Sequence, residues 1–144
     1  MKRIALLTLI LIAFFSCSKN NLIEDVLTRH DDGCKKEVRY YKENKDGSRT
    51  CVRETWYYNE GMIHLDGPII GGKRNGEFKT YYKSGELMSK GTFVDGIREG
   101  EAFTYYENGN IKYHGMYKNG KECGIWKFYY ENGELDHETN RDLR

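Results

Sequence analysis

Residues 105–130 read Tyr-Tyr-Glu-Asn-Gly-Asn-Ile-Lys-Tyr-His-Gly-Met-Tyr-Lys-Asn-Gly-Lys-Glu-Cys-Gly-Ile-Trp-Lys-Phe-Tyr-Tyr. The tyrosine pair that opens this stretch returns 24 residues on to close it, and the same pair stands at Tyr57-Tyr58 and Tyr81-Tyr82. Glycines keep the step. Gly61, Gly85, Gly109 and Gly133 follow the pairs, and Gly67, Gly91 and Gly115 come next. Gly72, Gly96 and Gly120 then precede Gly76, Gly100 and Gly124. A fixed period of this length marks a repeat architecture, in which one unit cannot bury its apolar face alone and must stack on its neighbours.

Within each unit the pattern is that of strands and tight turns. Glu60-Gly61, Ser84-Gly85, Asn108-Gly109 and Asn132-Gly133 separate two alternating runs, and a two-residue hairpin turn asks for glycine there. By alternation Ile63 with Leu65, Leu87 with Phe93, and Ile111 with Tyr113 and Tyr117 fall on one face of the second strand. In the first strand Trp56 with Tyr58, Phe78 with Tyr82, Ala102 with Tyr106, and Trp126 with Phe128 and Tyr130 make the apolar set. The first tyrosine of each pair points the other way. Asp95-Gly96 and Asn119-Gly120 form a second turn that leads into the next unit, and Asp46-Gly47 is the turn of a degenerate first unit. The expected fold is all-β, a repetitive antiparallel hairpin meander in one elongated sheet, advancing ~9.6 Å per two-stranded unit. Asp66 to Gly72 departs from the pattern, because Pro68 removes a ladder donor and regular pairing is expected to fail there.

Tyr113 to Trp126, with its aromatic-x-Gly-x-aromatic run, Asn-Gly turn and further glycine, resembles the MORN repeat, and Lys90 to Gly100 resembles it nearly as well. The added Tyr-Tyr-x-x-Gly is similar to the bacterial MORN-variant group, which includes antitoxins of toxin–antitoxin systems. The resemblance covers residues 57–139 well and 34–56 weakly. It implies a binding or scaffolding role and brings no catalytic residues with it.

The first residues read as an address. Lys2 and Arg3 precede an apolar stretch from Ile4 to Phe15, shorter than the ~20 residues of a spanning helix, so residues 1–16 are expected to be a secretory signal. Phe14-Phe15-Ser16-Cys17 resembles a bacterial lipobox, which makes Cys17 the expected lipid-attachment residue and new N-terminus. Acyl chains anchor at ~0.8 kcal/mol per buried CH₂, and several together hold firmly. Residues 17–33 are expected to be a tether, with Asn21 and Glu24 at capping-box spacing predicting a short helix over Asn21 to His30. The repeat domain is expected over 34–139, as units 34–56, 57–80, 81–104, 105–128 and a partial 129–139, with a polar tail at 140–144. Such a protein belongs in a Gram-negative envelope, on the outer membrane facing the periplasm.

Composition and spacing exclude several chemistries. Beyond residue 16 the chain carries 21 Lys+Arg against 22 Asp+Glu, so it lacks the basic excess with which nucleic-acid binders displace counterions. His30, His64, His114 and His137 occupy different positions of the repeat, and no C-x-x-C or H-x-x-x-H spacing exists, so no metal site is expected. No glycine loop opens onto a helix to cradle a phosphate, and the carboxylates form no pair suited to acid–base work, so neither cofactor nor enzymatic activity is expected. Cys51 and Cys123 are three repeats apart, ~29 Å in a regular stack, which leaves Cys34 with Cys51 as the expected disulfide of an oxidising compartment.

Tyr57, Tyr81, Tyr105 and Tyr129 recur at one outward position. They read either as cross-strand packing or as a recognition surface, since tyrosine offers large amphipathic contact at low entropy cost. The expectation for the whole chain is a non-enzymatic, lipid-anchored module that binds a protein or another envelope component. An antitoxin or immunity role, and direct binding of membrane lipid or envelope glycan, are the alternatives.

Overall fold

The computed structural model describes residues 22–142. The expected signal 1–16 and lipid-bearing Cys17 lie outside the described residues. The architecture is one antiparallel sheet in which nearly every strand pairs with its neighbour in sequence. Its strands are β1 (Ile23–Arg29), β2 (Lys35–Glu43), β3 (Arg49–Tyr57), β4 (Ile63–Ile70), β5 (Lys73–Arg74), β6 (Gly76–Tyr81), β7 (Leu87–Val94), β8 (Ile97–Tyr105), β9 (Ile111–Lys118), β10 (Lys121–Tyr129) and β11 (Leu135–Asn140). The order is β1-β2-β3-β4-β6-β7-β8-β9-β10-β11, with β5 paired to β4 off this path. The break falls where Pro68 stands. β4 pairs β6 only through Leu65 with Thr80 and Asp66 with Lys79, and β5 through Ile69 with Arg74 and Ile70 with Lys73.

Two expectations change. Ile23–Arg29 is a strand and not a helix, paired antiparallel to β2 through Ile23 with Tyr41, Asp25 with Arg39 and Val26 with Val38. Leu22 to Leu27 satisfies either period over so short a run, and the open edge of β2 decides between them by offering a ladder. The sheet thus starts inside the expected tether and runs on to Asn140.

The long-arm turns also differ. At the first of them Gly61 N donates to Tyr58 O (2.9 Å) and Tyr58 N to Met62 O (2.9 Å), with positive φ at Gly61 (82°) but not at Glu60. This is the three-residue loop with a left-handed glycine, and the two-residue form with both central φ positive is kept for Asp95-Gly96 (50° and 87°). Just past each glycine loop the ladder skips one residue: His64, Met88, Lys112 and Asp136. That bulge inverts the alternation. Ile63, Leu87 and Ile111 therefore stand with Tyr57, Tyr81 and Tyr105 opposite them, on the other face from Leu65, Phe93 and Tyr113.

From β6 onward the core is a single file on one face, which we call the packed face, whereas in β2 the fully buried Val38 pairs with Thr55 on the other face. Phe78 (4 % exposed), Ala102 (7 %) and Trp126 (2 %) stand 24 residues apart in β6, β8 and β10. Each faces a glycine of the strand before it: Gly67, Gly91 and Gly115. A Cβ on Gly67 would lie 2.4 Å from the Phe78 ring and one on Gly115 2.1 Å from Trp126, so these large rings lie flat on backbone that no side chain covers. A thin sheet buries aromatic area in this way without a second layer. Glu54, on the same face, is buried; it accepts from Arg74 Nη2 (2.7 Å) and Trp56 Nε1 (2.7 Å). Arg74 in turn lies over the rings of Phe78 (5.0 Å) and Phe93 (5.7 Å).

The second tyrosine of each pair ties units together. Tyr58 Oη donates to Tyr81 O (2.9 Å), Tyr82 Oη to Tyr105 O (2.6 Å) and Tyr106 Oη to Tyr129 O (2.8 Å). Each bond spans one repeat and holds the backbone on which the next first tyrosine is mounted, at a net worth of ~1 kcal/mol apiece. The strict spacing of the pair is thereby explained: one ring fastens the units, and the other is presented.

Candidate binding surface

Register builds the opposite face, which we call the open face. Thr55 pairs with Asp66, Asp66 with Lys79, Lys79 with Lys90, Lys90 with Phe103, Phe103 with His114, His114 with Lys127 and Lys127 with Glu138. Directly paired residues share a face, so these eight side chains stand in one file across the sheet. Their contacts run along it. Lys90 Nζ lies 5.0 Å from the Phe103 ring centroid, and the Phe103 and His114 rings stack at 4.4 Å, 7° apart. Lys127 pairs with Glu138 (3.3 Å), His114 faces Glu101 (3.5 Å), and Lys79 pairs with Glu77 (3.1 Å), whose carboxylate raises the lysine's pKa. Asp66 binds the guanidinium of Arg53, raising the pKa of the arginine, and accepts from Thr55 Oγ1 (2.9 Å).

The four sequence-predicted tyrosines lie beside this file. Tyr57 pairs with Ile63, Tyr81 with Leu87, Tyr105 with Ile111 and Tyr129 with Leu135, so each phenol has an aliphatic partner that alternation alone placed on the wrong face. All four rings are half-buried. Phe103 stacks on Tyr105 (6.3 Å, 15°) and joins the two files. Alternation puts Lys79, Phe103 and Lys127 on the face of these tyrosines and Asp66, Lys90 and His114 on the polar face, but that the two sets pair into one file was not legible in the sequence, although 79, 103 and 127, and 66, 90, 114 and 138, each keep the 24-residue step. Their changing residue types hid a period that the tyrosines displayed.

Tyr57 differs from its counterparts. Burial, and then the hydroxyl of Tyr40 at 2.8 Å, push its pKa well above the ordinary 10.0. The unfolded chain ionises this phenol at its ordinary value while the folded chain keeps it neutral. Stability from this source is therefore complete below about pH 10 and is lost as pH rises above it. Denaturant melts across that range are expected to show a shallower loss of stability with pH in Tyr57→Phe than in the parent; equal slopes would refute the assignment.

The cysteines do not pair as expected. Cys34, Cys51 and Cys123 are free thiols. Cys51 pairs with Tyr41 near the Asp46-Gly47 turn, whereas Cys34 precedes Lys35 at the open end of that hairpin. Seven residues of extended chain, ~23 Å, separate the two positions, far beyond the ~7 Å Cα limit of a disulfide. The expected pairing assumed a register that the hairpin does not adopt. The neighbouring Asp32 carboxylate pushes the pKa of the exposed Cys34 thiol above its ordinary value. The histidines are dispersed: His30 Nε2 meets Tyr57 O (2.9 Å), His64 packs on Tyr58 (4.6 Å), His114 on Phe103, and His137 on Phe128 (4.6 Å).

Comparison with known proteins agrees with this geometry in the C-terminal half. Residues 74–95, 98–119 and 122–142 each match the family model described as the MORN repeat variant. The matches start 24 residues apart and run from β5 to just beyond β11. No curated protein matches the chain. Among solved structures, the chain is similar to a mutant of S. aureus TarM in complex with Fondaparinux, alpha-GlcNAc-glycerol and UDP, at 15% identity and a TM-score of 0.36, over 85% of this chain and 20% of that one. A second structure, of TarM, gives 14% identity and a TM-score of 0.33 over 87% of this chain and 22% of that one. The chain thus spans about a fifth of the length of these structures. With the 24-residue glycine file, the two turn types and the three matched units in hand, residues 74–142 are similar to the MORN repeat variant family.

Proposed function

We propose that this protein is a non-enzymatic binding module, held at the outer membrane of a bacterial envelope by lipid on Cys17, and that it engages a partner protein through the open face. The observation that carries the reading is the asymmetry of the sheet. Phe78 and Trp126 are spent on the packed face, whereas Ile70, Val94, Ile97, Met116, Ile125 and Leu135 stand largely exposed on the side of the tyrosine file. Exposed apolar side chains that share one face with rings and mixed charges are the composition of an interface, with aromatic anchors inside a polar margin. The lysine and carboxylate partners within the file set register with a partner more than they add affinity.

The test is an affinity capture from native envelope with the full chain and with Tyr81→Ser, Tyr105→Ser and Tyr129→Ser combined. We expect an unchanged far-UV spectrum and loss of the captured protein. Retention of the same protein by the folded triple variant would refute the assignment to this face. Palmitate-analogue labelling that leaves Cys17 unmodified would refute the anchor.

A further inference from the structure

The packed face has a gap. Phe78 covers Gly67 and Trp126 covers Gly115, but the residue that should cover Gly91 is Ala102, whose Cβ leaves a glycine Cβ 3.7 Å of ordinary clearance. The floor of the middle unit is therefore two of the smallest residues, between walls built for large rings. Phe78 and Phe93 stand on one side, 5.2 Å apart and edge to face, and Trp126 with Tyr117 (5.3 Å) on the other. The result is a slot of about 100 Å³. It is of the order of the ~150 Å³ apolar cavities that accept a benzene ring.

The ends of the slot differ in chemistry. At one end Ser89 pairs with Thr104, and Ser89 Oγ meets Thr80 Oγ1 at 2.6 Å, so three hydroxyls converge. At the other, four residues along β7 or ~13 Å away, Phe93 pairs with Arg98. The Arg98 guanidinium lies 5.4 Å from the Phe93 ring and 5.2 Å from that of Tyr117. Among the described residues no carboxylate lies within ion-pair distance of it, whereas its counterpart one repeat earlier, Arg74, is held by Glu54. Trp126, 2 % exposed and lining the same slot, has an indole N–H with no acceptor. A buried donor without a partner is destabilising, and an occupant with an acceptor would satisfy it.

We propose that this slot is a second binding site, on the face opposite the tyrosine file, for a planar aromatic group carrying a carboxylate. The ring takes the place that Phe or Trp takes in the flanking units, and the carboxylate meets the free guanidinium of Arg98. The same chemistry is offered by a free aromatic acid and by a peptide in which an aromatic residue adjoins an acidic one.

Two tryptophans make the test direct, because Trp56 Nε1 is tied to Glu54 and serves as an internal reference. Phenylacetate, its neutral amide phenylacetamide, and an N-acetyl Phe-Asp amide are titrated separately into the ¹⁵N-labelled protein while both indole N–H signals are followed. We expect the Trp126 signal to move with phenylacetate or the dipeptide and the Trp56 signal to stay; the tighter of the two identifies the source. Ala102→Phe is expected to abolish the shift and raise Tm. Arg98→Gln is expected to weaken the acid about tenfold, the loss of one charge-assisted contact, and to leave the amide unchanged. Should Ala102→Phe fail to fold, Ala102→Val and Arg98→Gln carry the same contrast. No movement of the Trp126 signal with either acid, or equal binding by the folded Ala102→Phe variant, would overturn the proposal.

Discussion

Gly115→Ala lowers the free energy of unfolding by about 3 kcal/mol, while Gly91→Ala leaves it unchanged or raises it by up to about 1 kcal/mol. The two glycines hold the same position of neighbouring repeats, and neither has positive φ, so backbone conformation does not separate them. What separates them is the ring above. A methyl on Gly115 would stand 2.1, 2.3 and 2.7 Å from three atoms of the Trp126 indole. Tyr113 at 6.0 Å and Tyr117 at 5.3 Å wall that indole in, so it cannot lift without giving up its burial. A methyl on Gly91 meets Ala102 and the Glu101 carbonyl oxygen, all at ordinary van der Waals distance, and alanine there removes conformational freedom from the unfolded chain. Urea unfolding of the two variants, with near-UV circular dichroism reporting the tryptophan environment, measures the contrast. Equal stabilities would mean that the indole does not lie on Gly115 in solution.

Arg74→Met costs about 3–5 kcal/mol, because it leaves the Glu54 carboxylate buried without its cation. The carboxylate side chain is 6% exposed and receives the guanidinium at two contacts, 2.7 and 3.3 Å. Methionine keeps an apolar stem against Phe78 and Phe93, so most of the loss is the uncompensated charge and not lost packing. Adding Glu54→Gln to Arg74→Met is then expected to restore most of the stability, since a neutral amide can still accept from Trp56 Nε1. Thermal melts of the parent, both single variants and the pair complete a double-mutant cycle. A cost under about 1 kcal/mol for Arg74→Met, or no recovery in the pair, would show that the charge is solvated after all.

The legible part of the candidate surface was its tyrosines, because a repeated large side chain announces its own period. Lys79, Lys90, Phe103, His114 and Lys127 keep the same spacing but differ in type, and only register put them side by side. The aliphatic partners of the tyrosines were assigned to the opposite face for one physical reason. A bulge at His64, Met88 and Lys112 shifts the parity of everything before it in the strand, and a bulge leaves no mark in a hydrophobic pattern of period two. The slot at Ala102 was illegible for a related reason. In sequence an alanine among aromatics is a small apolar residue like any other, and it becomes a vacancy only when Gly91 is found beneath it.

The sequence by itself determined the 24-residue unit, the hairpin with glycine at its turns, the interruption at Pro68 and the division of each tyrosine pair between two faces. These follow from local chemistry: left-handed backbone needs glycine, proline cannot donate, and alternation is built into a strand. Only the tertiary structure decided that residues 23–29 form a strand, that Cys34 and Cys51 lie at opposite ends of a hairpin, and which side chains share a file. Each of those depends on pairing between strands. A ladder energy exists only once the neighbour is in place, and one skipped residue in it moves every preceding side chain to the other side.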